Sequence, residues 1–208
     1  MEHLPLIGTV TLVHFLAVAS PGPDFIMCVR NSLTHSRRTG IWTALGIGAG
    51  IMVHIAYCLA GLAVVISRSI LLFNTMKYLG AIYLIYIGIK SFRARSSHIE
   101  INTTGKEEDL TRLQALKIGF LTNVLNPKAT LFFLSLFTLV ISPDTPAPVL
   151  GIVSAIMIVN TTLWFSLVAI FMTQKKIRTL FERFQNVFNK TLGGILIALG
   201  IKVALAKR

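Results

Sequence analysis

Two proline-containing breaks, each beside a charged side chain, are the features of this sequence best suited to chemistry. They read Pro21-Gly22-Pro23-Asp24 and Asn126-Pro127-Lys128, and each interrupts a long apolar stretch. Proline lacks a backbone N–H and clashes with the preceding turn of a helix, so carbonyl groups before each break lose their helical partners. Such groups in an apolar environment need protein, water or a ligand to satisfy them. We expect the breaks at residues 17–20 and 123–126 to help form a binding site.

The two charges indicate what this site binds. Asp24 can face an ammonium group and Lys128 a carboxylate, which suits a small zwitterion. A charge at the centre of a membrane-spanning helix costs about 2.5 to 3.5 kcal/mol, so pairing or ligand contact must offset that cost. Two alternatives stay open. Either the two side chains form a salt bridge that opens and closes, or they lie near the membrane surface and extend into the headgroups.

Four further polar side chains lie within apolar stretches and are candidates for the same substrate or ion pathway. They are His54, Asn123, Asn126 and Asn160. His54 can gain or lose a proton near neutral pH, although a single helical histidine is equally consistent with a packing role. The asparagines can form hydrogen bonds between helices.

The elements that position these residues are predicted to be membrane-spanning helices. The chain has 208 residues, of which 54% are hydrophobic and 13% are charged, about half the charged fraction of a soluble domain. Six apolar stretches approach the roughly 20 residues needed to cross a bilayer, at residues 5–29, 41–66, 78–89, 118–141, 148–173 and 191–206. Backbone groups in lipid must be paired within their own segment. We therefore predict an all-α integral membrane protein with six transmembrane helices in a single domain, residues 1–208.

The basic residues indicate orientation and not nucleic-acid binding. There are 20 Lys and Arg against 8 Asp and Glu, a net charge of +12, but the cations separate apolar stretches and form no continuous stripe. They are concentrated in the first, third and fifth loops, which the positive-inside rule places in the cytoplasm, with both termini outside. Lys202, Lys207 and Arg208 disagree with this arrangement. An odd number of spans, with one segment re-entrant, therefore stays open.

The two halves of the chain share a pattern of motifs. Lys77-Tyr78-Leu79-Gly80 is similar to Lys190-Thr191-Leu192-Gly193, and Gly88-Ile89-Lys90 to Gly200-Ile201-Lys202. Pro21 and Pro127 are 106 residues apart, as are His54 and Asn160. We predict two inverted three-helix repeats, residues 1–95 and 113–208, joined by a polar cytoplasmic loop at residues 96–112. In transporters built this way, the substrate site lies near the membrane midplane where discontinuous helices meet.

Three other features concern packing. Gly46, Gly48 and Gly50 predict close helix packing and not a dinucleotide-binding loop, because no strand precedes them. Cys28 and Cys58 lack the spacing of a disulfide scaffold or a metal site, so we expect them to pack as small apolar residues, and we expect no metal and no cofactor. Residues 175–190 have amphipathic spacing that fits either an interfacial helix or an extension of the last span.

Together these motifs resemble the LysE/RhtB family of amino-acid exporters, in particular its threonine and homoserine efflux type. The resemblance covers essentially the whole chain. It rests on Ser20-Pro21-Gly22-Pro23 with Asp24-Phe25 after it, on Arg37-Arg38 before a glycine-rich helix, and on Leu121-Thr122-Asn123 with Asn126-Pro127-Lys128. The resemblance implies a six-segment protein of the cytoplasmic membrane, not an enzyme, that carries amino acids or their analogues out of the cell in exchange for protons.

We therefore expect a secondary exporter of small neutral amino acids that alternates access to a site formed by Asp24, Asn126, Lys128 and the freed carbonyls. Asp24 and His54 are the candidate proton carriers. The expected partners are the amino acid, protons and membrane lipid, and a homo-oligomer is compatible with the sequence. Two alternatives remain: a thiol/disulfide electron carrier that uses Cys28 and Cys58, and a channel.

Overall fold

A computed structural model describes residues 3–68, 70–94, 108–140 and 145–205. All secondary structure in these ranges is helical. The helices are α1 (Leu4–Ala19), α2 (Pro23–Thr34), α3 (Arg37–Arg68), α4 (Ile70–Arg93), α5 (Arg112–Val124), α6 (Pro127–Val140), α7 (Ala147–Phe171) and α8 (Lys175–Leu205).

The predicted first and fourth segments are each divided into two helices at the proline breaks. The axis bends by 56° between α1 and α2. Pro23 begins α2 and Pro127 begins α6, which is the position where proline is best tolerated because the first N–H of a helix has no intrahelical partner. Each proline break therefore ends one helix and begins the next.

The described residues contain two single helices that are long and apolar enough to cross a membrane. These are residues 37–61 of α3 and all of α7, and the bent α1–α2 pair makes a third span if it is counted as one. Residues 127–137 of α6 form a shorter apolar helix. The predicted sixth span does not stand alone, because residues 175–190 continue into it as the single helix α8. Of the two alternatives for that segment, the extension is the one observed.

Part of the predicted third loop is described and contacts the turn between α2 and α3. His35 Nδ1 lies 2.7 Å from the carbonyl oxygen of Glu108, and Ser36 Oγ donates to Asp109 Oδ2 at 2.8 Å. Thr111 then caps α5 in a capping box with Gln114, so α5 begins earlier than the predicted start at residue 118. Residues 95–107 of the predicted loop, and the basic residues at 207 and 208, lie outside the described residues.

Two clusters of buried apolar side chains form the core. The first joins α1, α3, α4, α6, α7 and α8 around Phe133 and Phe137. The second joins α2, α3 and α7 around Phe25 and Phe165, with Phe181 of α8 stacked on Phe25 at 5.2 Å between ring centroids. The first broken segment therefore has one half in each cluster, with α1 in the first and α2 in the second.

Glycines allow α3 to approach its neighbours closely, as the sequence predicts. A Cβ at Gly46 would collide with the carbonyl of Leu116 on α5, and one at Gly48 would collide with Thr162 on α7. In return, a Cβ at Gly119 of α5 would collide with the carbonyl of Thr43 on α3. These contacts are with backbone or short side chains, which have little freedom to move away.

We predict that Gly119→Ala destabilises the purified protein in detergent. Forcing a methyl group into a filled interface costs about 1 to 3 kcal/mol, which corresponds to a fall of roughly 3 to 10 °C in Tm for a chain of this size. Gly151→Ala on α7 is the matched control, because its Cβ has nothing within 4 Å and alanine favours a helix. Equal melting temperatures for the two variants in a fluorescence-detected thermal scan would contradict the close approach.

Candidate functional site

A cavity lies between the two apolar clusters, at the meeting point of both proline breaks. The empty space in and around it, including open space at its mouth, is about 430 Å³. Its polar lining comes from α1, α2, α5, α6, α7 and the breaks between them, and consists of His14, Ser20, Asp24, Asn123, Asn126, Lys128 and Thr161. Aromatic side chains form much of the remaining wall, namely Phe25, Phe132, Phe133 and Phe165.

The break after α1 frees a carbonyl that Lys128 then binds. In a continuous helix the carbonyl of residue 17 accepts from the N–H of residue 21, but residue 21 is proline and has no N–H. Lys128 Nζ donates instead, at 3.1 Å to the Ala17 carbonyl and at 2.7 Å to the Ser20 carbonyl. The predicted loss of helical partners before the first break is confirmed, and the replacement donor comes from the second break.

The second break repeats this arrangement with a different base. The carbonyl of Asn123 loses the donor four residues on because residue 127 is proline, and it accepts instead from the Asn126 N–H at 3.0 Å. His54 Nε2 lies 3.0 Å from that carbonyl, and because a carbonyl oxygen only accepts, this nitrogen carries the hydrogen. The other ring nitrogen of His54 lies 2.8 Å from the Tyr57 hydroxyl.

Asp24 is held by one oxygen only. Asn123 Nδ2 donates to Asp24 Oδ2 at 2.9 Å, and the carboxylate is buried, with 8% of the residue exposed. Asp24 Oδ1 and Asn123 Oδ1 are buried and have no hydrogen-bond partner among the described residues. Leaving a buried acceptor unsatisfied costs about 1 to 3 kcal/mol, and more when it is charged. Asn123 Oδ1 lies against Gly50 of α3, so Asp24 Oδ1 is the acceptor that an N–H group of a ligand in the cavity can satisfy.

Lys128 is positioned at a helix end that disfavours its charge. It lies in the first turn of α6, whose N–H groups already carry partial positive charge, and its own N–H donates to Asn126 Oδ1, the capping side chain. Its alkyl chain passes over Gly22, where an added Cβ would lie 3.3 Å from Lys128 Cδ. The carbonyl oxygens of Ala17 and Ser20, which lack helical partners at the end of α1, offset this unfavourable position of the ammonium group. The two carbonyl bonds use two of the three ammonium hydrogens and leave one for a ligand.

The structure brings most of the predicted site residues together. Asp24, Asn123, Asn126 and Lys128 line one cavity with Gly22, and Pro21, Pro23 and Pro127 shape the adjoining backbone. In place of the alternative of an Asp24–Lys128 salt bridge, Lys128 bonds carbonyl oxygens and Asp24 bonds an amide. Placement of the two charges away from the membrane surface stays a prediction.

Two predicted site residues lie elsewhere. His54 is fully buried behind Asn123, stacked at 5.3 Å on Phe133, and is absent from the described lining. Asn160, its predicted counterpart, instead lines an open groove between α1 and α7. The next residue, Thr161, faces the cavity, because one residue turns a helix by about 100°.

His14 and Thr161 are lining residues that the sequence analysis did not single out. Both are fully buried. His14 carried the same signal as His54, a titratable side chain within a charge-free apolar stretch. Thr161 carried none, since threonine is common in such segments.

The described residues contain no group of three or more His, Cys, Asp or Glu side chains arranged to hold a metal ion. The two cysteines belong to different apolar clusters. The Cys28 thiol donates to the Phe165 carbonyl at 3.2 Å. The structure therefore brings no thiol pair to the breaks.

Comparison with known proteins gives the family. The family model described as LysE type translocator matches residues 15–207. The chain is 33% identical to an uncharacterized membrane protein, YrhP, of Bacillus subtilis, over 92% of this chain and 94% of that protein. It is 30% identical to a threonine efflux protein of Salmonella typhi, over 98% of this chain and 100% of that one. It is also 30% identical to a homoserine/homoserine lactone efflux protein of Salmonella typhimurium, over 94% of each chain.

No solved structure gives a significant match. The apolar helices and the membrane-protein relatives make this a multi-pass membrane transporter and not an enzyme. The match over nearly the full length confirms the resemblance drawn from the break motifs, and the chain belongs to the LysE type translocator family.

Proposed function

We propose that this protein is a secondary exporter of small neutral amino acids of the threonine and homoserine kind. In this proposal it works by alternating access in the cytoplasmic membrane and exchanges the amino acid for protons. The observation that carries the proposal is the unsatisfied carboxylate oxygen of Asp24, Oδ1, on a residue that lines the same cavity as the Lys128 ammonium. An amino-acid zwitterion is the small ligand that complements both signs at once.

Each end of the zwitterion has its own partners in this proposal. The ammonium group donates to Asp24 Oδ1, which removes the cost of a buried, unpaired charged acceptor. The carboxylate accepts the remaining N–H of Lys128, and the first turns of α2 and α6 add partial positive charge toward the same cavity. The names of the relatives, threonine efflux and homoserine/homoserine lactone efflux, support an amino acid as the substrate.

Six transmembrane spans in two inverted repeats are part of the proposal. If α1–α4 correspond to α5–α8, each half begins with a broken pair followed by two longer helices. The packing supports this correspondence. When each helix is replaced by its counterpart in the other half, the contacting pair α3–α5 corresponds to α7–α1, and α3–α6 corresponds to α7–α2, and these pairs are also in contact. Between α4 and α8, Gly88 lies against Gly193 and Gly200 against Ala81, which fits the repeated glycine motif.

Exchange for protons supplies the energy in this proposal. One charge that crosses 100 mV is worth about 2.3 kcal/mol, enough for roughly fiftyfold accumulation per proton. Asp24 is the first candidate carrier, because protonation of its carboxylate removes the partner of the substrate ammonium. His54 is the second, since its ring bonds the carbonyl of Asn123, whose side chain holds Asp24.

The two rival functions have less support. No cysteine is among the lining residues described for the cavity, which disfavours a thiol/disulfide electron carrier. A channel is compatible with the helices, but it does not require a charged pair of opposite sign with unsatisfied acceptors. Transport kinetics separate a channel from a carrier.

We expect saturable, proton-driven uptake in membrane vesicles with the cytoplasmic face outward. Radiolabelled threonine, homoserine and other neutral amino acids are supplied outside, and the lumen is made acidic. Uptake should saturate with concentration and stop when a protonophore collapses the gradient. A flux that stays proportional to concentration would identify a channel, and no uptake of any amino acid would refute the proposed function.

Asp24→Asn and Lys128→Met should each reduce this uptake by about 10- to 100-fold. Hydrogen bonds to charged groups are worth roughly 1.5 to 3 kcal/mol, and 1.4 kcal/mol is a factor of ten. Glu108→Gln and Lys117→Met are the matched controls, because both side chains are exposed outside the cavity. Wild-type uptake by either cavity variant, at equal amounts in the membrane, would remove that residue from the mechanism.

We also expect loops one, three and five to lie in the cytoplasm. Single cysteines are introduced at Lys176 and at Ala147, both exposed, in a chain whose two native cysteines are replaced by alanine. A membrane-impermeant maleimide should label Ala147→Cys in intact cells and Lys176→Cys only after the cells are opened. The reverse pattern would show that the orientation is inverted.

A further inference from the structure

We infer that His14 and Thr161 form a specificity site for a short hydroxylated side chain on the transported molecule. This inference rests on the proposed amino-acid transport, and it assigns the part of the cavity that the charged groups do not use. His14 lies on α1 and Thr161 on α7, and both line the cavity. His14 Nε2 and Thr161 Oγ1 are 3.5 Å apart, so the hydrogen bond between them is long and weak.

The surroundings of this pair are apolar. The ring of His14 lies 6.0 Å from Phe132 and 5.8 Å from Phe133, measured between ring centroids. His14 is 0% exposed, yet its Nδ1 has no hydrogen-bond partner among the described residues. A buried polar atom without a partner is uncommon and needs a specific reason. A ligand group that reaches this atom supplies one.

A hydroxyl group fits this pair better than a charged or an apolar group does. A hydroxyl both donates and accepts, as the neutral imidazole and the threonine hydroxyl do, so it can bond either member of the pair. A charged group would face phenylalanine rings without a counter-charge. A methyl group would leave the His14 nitrogen unsatisfied.

The pair is within reach of the charged groups. Along α1, His14 comes three residues before Ala17, whose carbonyl binds Lys128, and three residues correspond to about 4.5 Å along a helix axis. The hydroxyl of a small amino acid lies only a few bonds from its carboxylate and ammonium groups. One bound molecule can therefore contact the charged groups and the His14–Thr161 pair together.

The test compares pairs of isosteric substrates, in which one member has a hydroxyl group where the other has a methyl group. Wild-type vesicles should transport threonine in preference to valine, and homoserine in preference to norvaline, by about 5- to 100-fold. That range is the fold-change that follows from leaving one buried polar group without its hydrogen bond. Thr161→Val and His14→Phe should each bring the threonine-to-valine ratio close to one by reducing threonine transport, while valine transport continues.

Thr162→Val is the control variant, because Thr162 packs against Gly48 of α3 and should leave the ratio unchanged. Continued valine transport by the two test variants shows that they fold and insert. A wild-type protein that transports threonine and valine equally would overturn the inference while leaving the proposed function intact. An unchanged ratio in both variants, or loss of valine transport together with threonine transport, would also overturn it.

Discussion

The arrangement of this protein depends on two backbone carbonyls that proline deprives of their donors. Pro21 removes the N–H that the Ala17 carbonyl would accept, and Pro127 removes the one that the Asn123 carbonyl would accept, which leaves Asn123 with a shorter-range bond from the Asn126 N–H. Each carbonyl is then bonded by a basic side chain from the other half of the chain, Lys128 in one case and His54 in the other. The defects in two helices thus become the contacts that join them. If the helix were continuous at either break, a backbone N–H would occupy the carbonyl. Lys128 or His54 would then be buried without that acceptor.

Glycines make this exchange sterically feasible. Gly50 of α3 faces the side chain of Asn123, and a Cβ there would collide with Oδ1 and Cβ of Asn123, the residue whose Nδ2 holds Asp24. Gly22 leaves room for the alkyl chain of Lys128. The glycines at 46 and 119 bring α3 and α5 close enough for His54 to reach the freed carbonyl of Asn123. Backbone spacing and side-chain chemistry are therefore parts of one requirement.

The sequence predicts the breaks well and the helix faces poorly, for a physical reason. A proline beside a charge inside an apolar stretch has few structural outcomes, so the freed carbonyls and the shared position of Asp24 and Lys128 follow from composition and spacing. The face that a residue presents depends on helix phase, which is set by packing and changes by about 100° per residue. The 106-residue spacing therefore pairs Asn160 with His54, whereas Thr161 is the residue that lines the cavity. The amphipathic segment at residues 175–190 was compatible with two placements, and the continuity of α8 distinguishes them.

Under the proposed function, these same bonds connect substrate binding to movement between the halves. The Lys128 ammonium belongs to the second half and its carbonyl partners belong to the first. Asp24 of the first half is held by Asn123 of the second. A bound zwitterion therefore joins the two halves, with its ammonium group on Asp24 and its carboxylate on the Lys128 hydrogen that the α1 carbonyls leave free. A ligand shifts a conformational equilibrium only through a difference in its contacts between the two states. A site built across the boundary between the halves supplies that difference, because any relative displacement of the halves changes the contacts at both ends of the substrate.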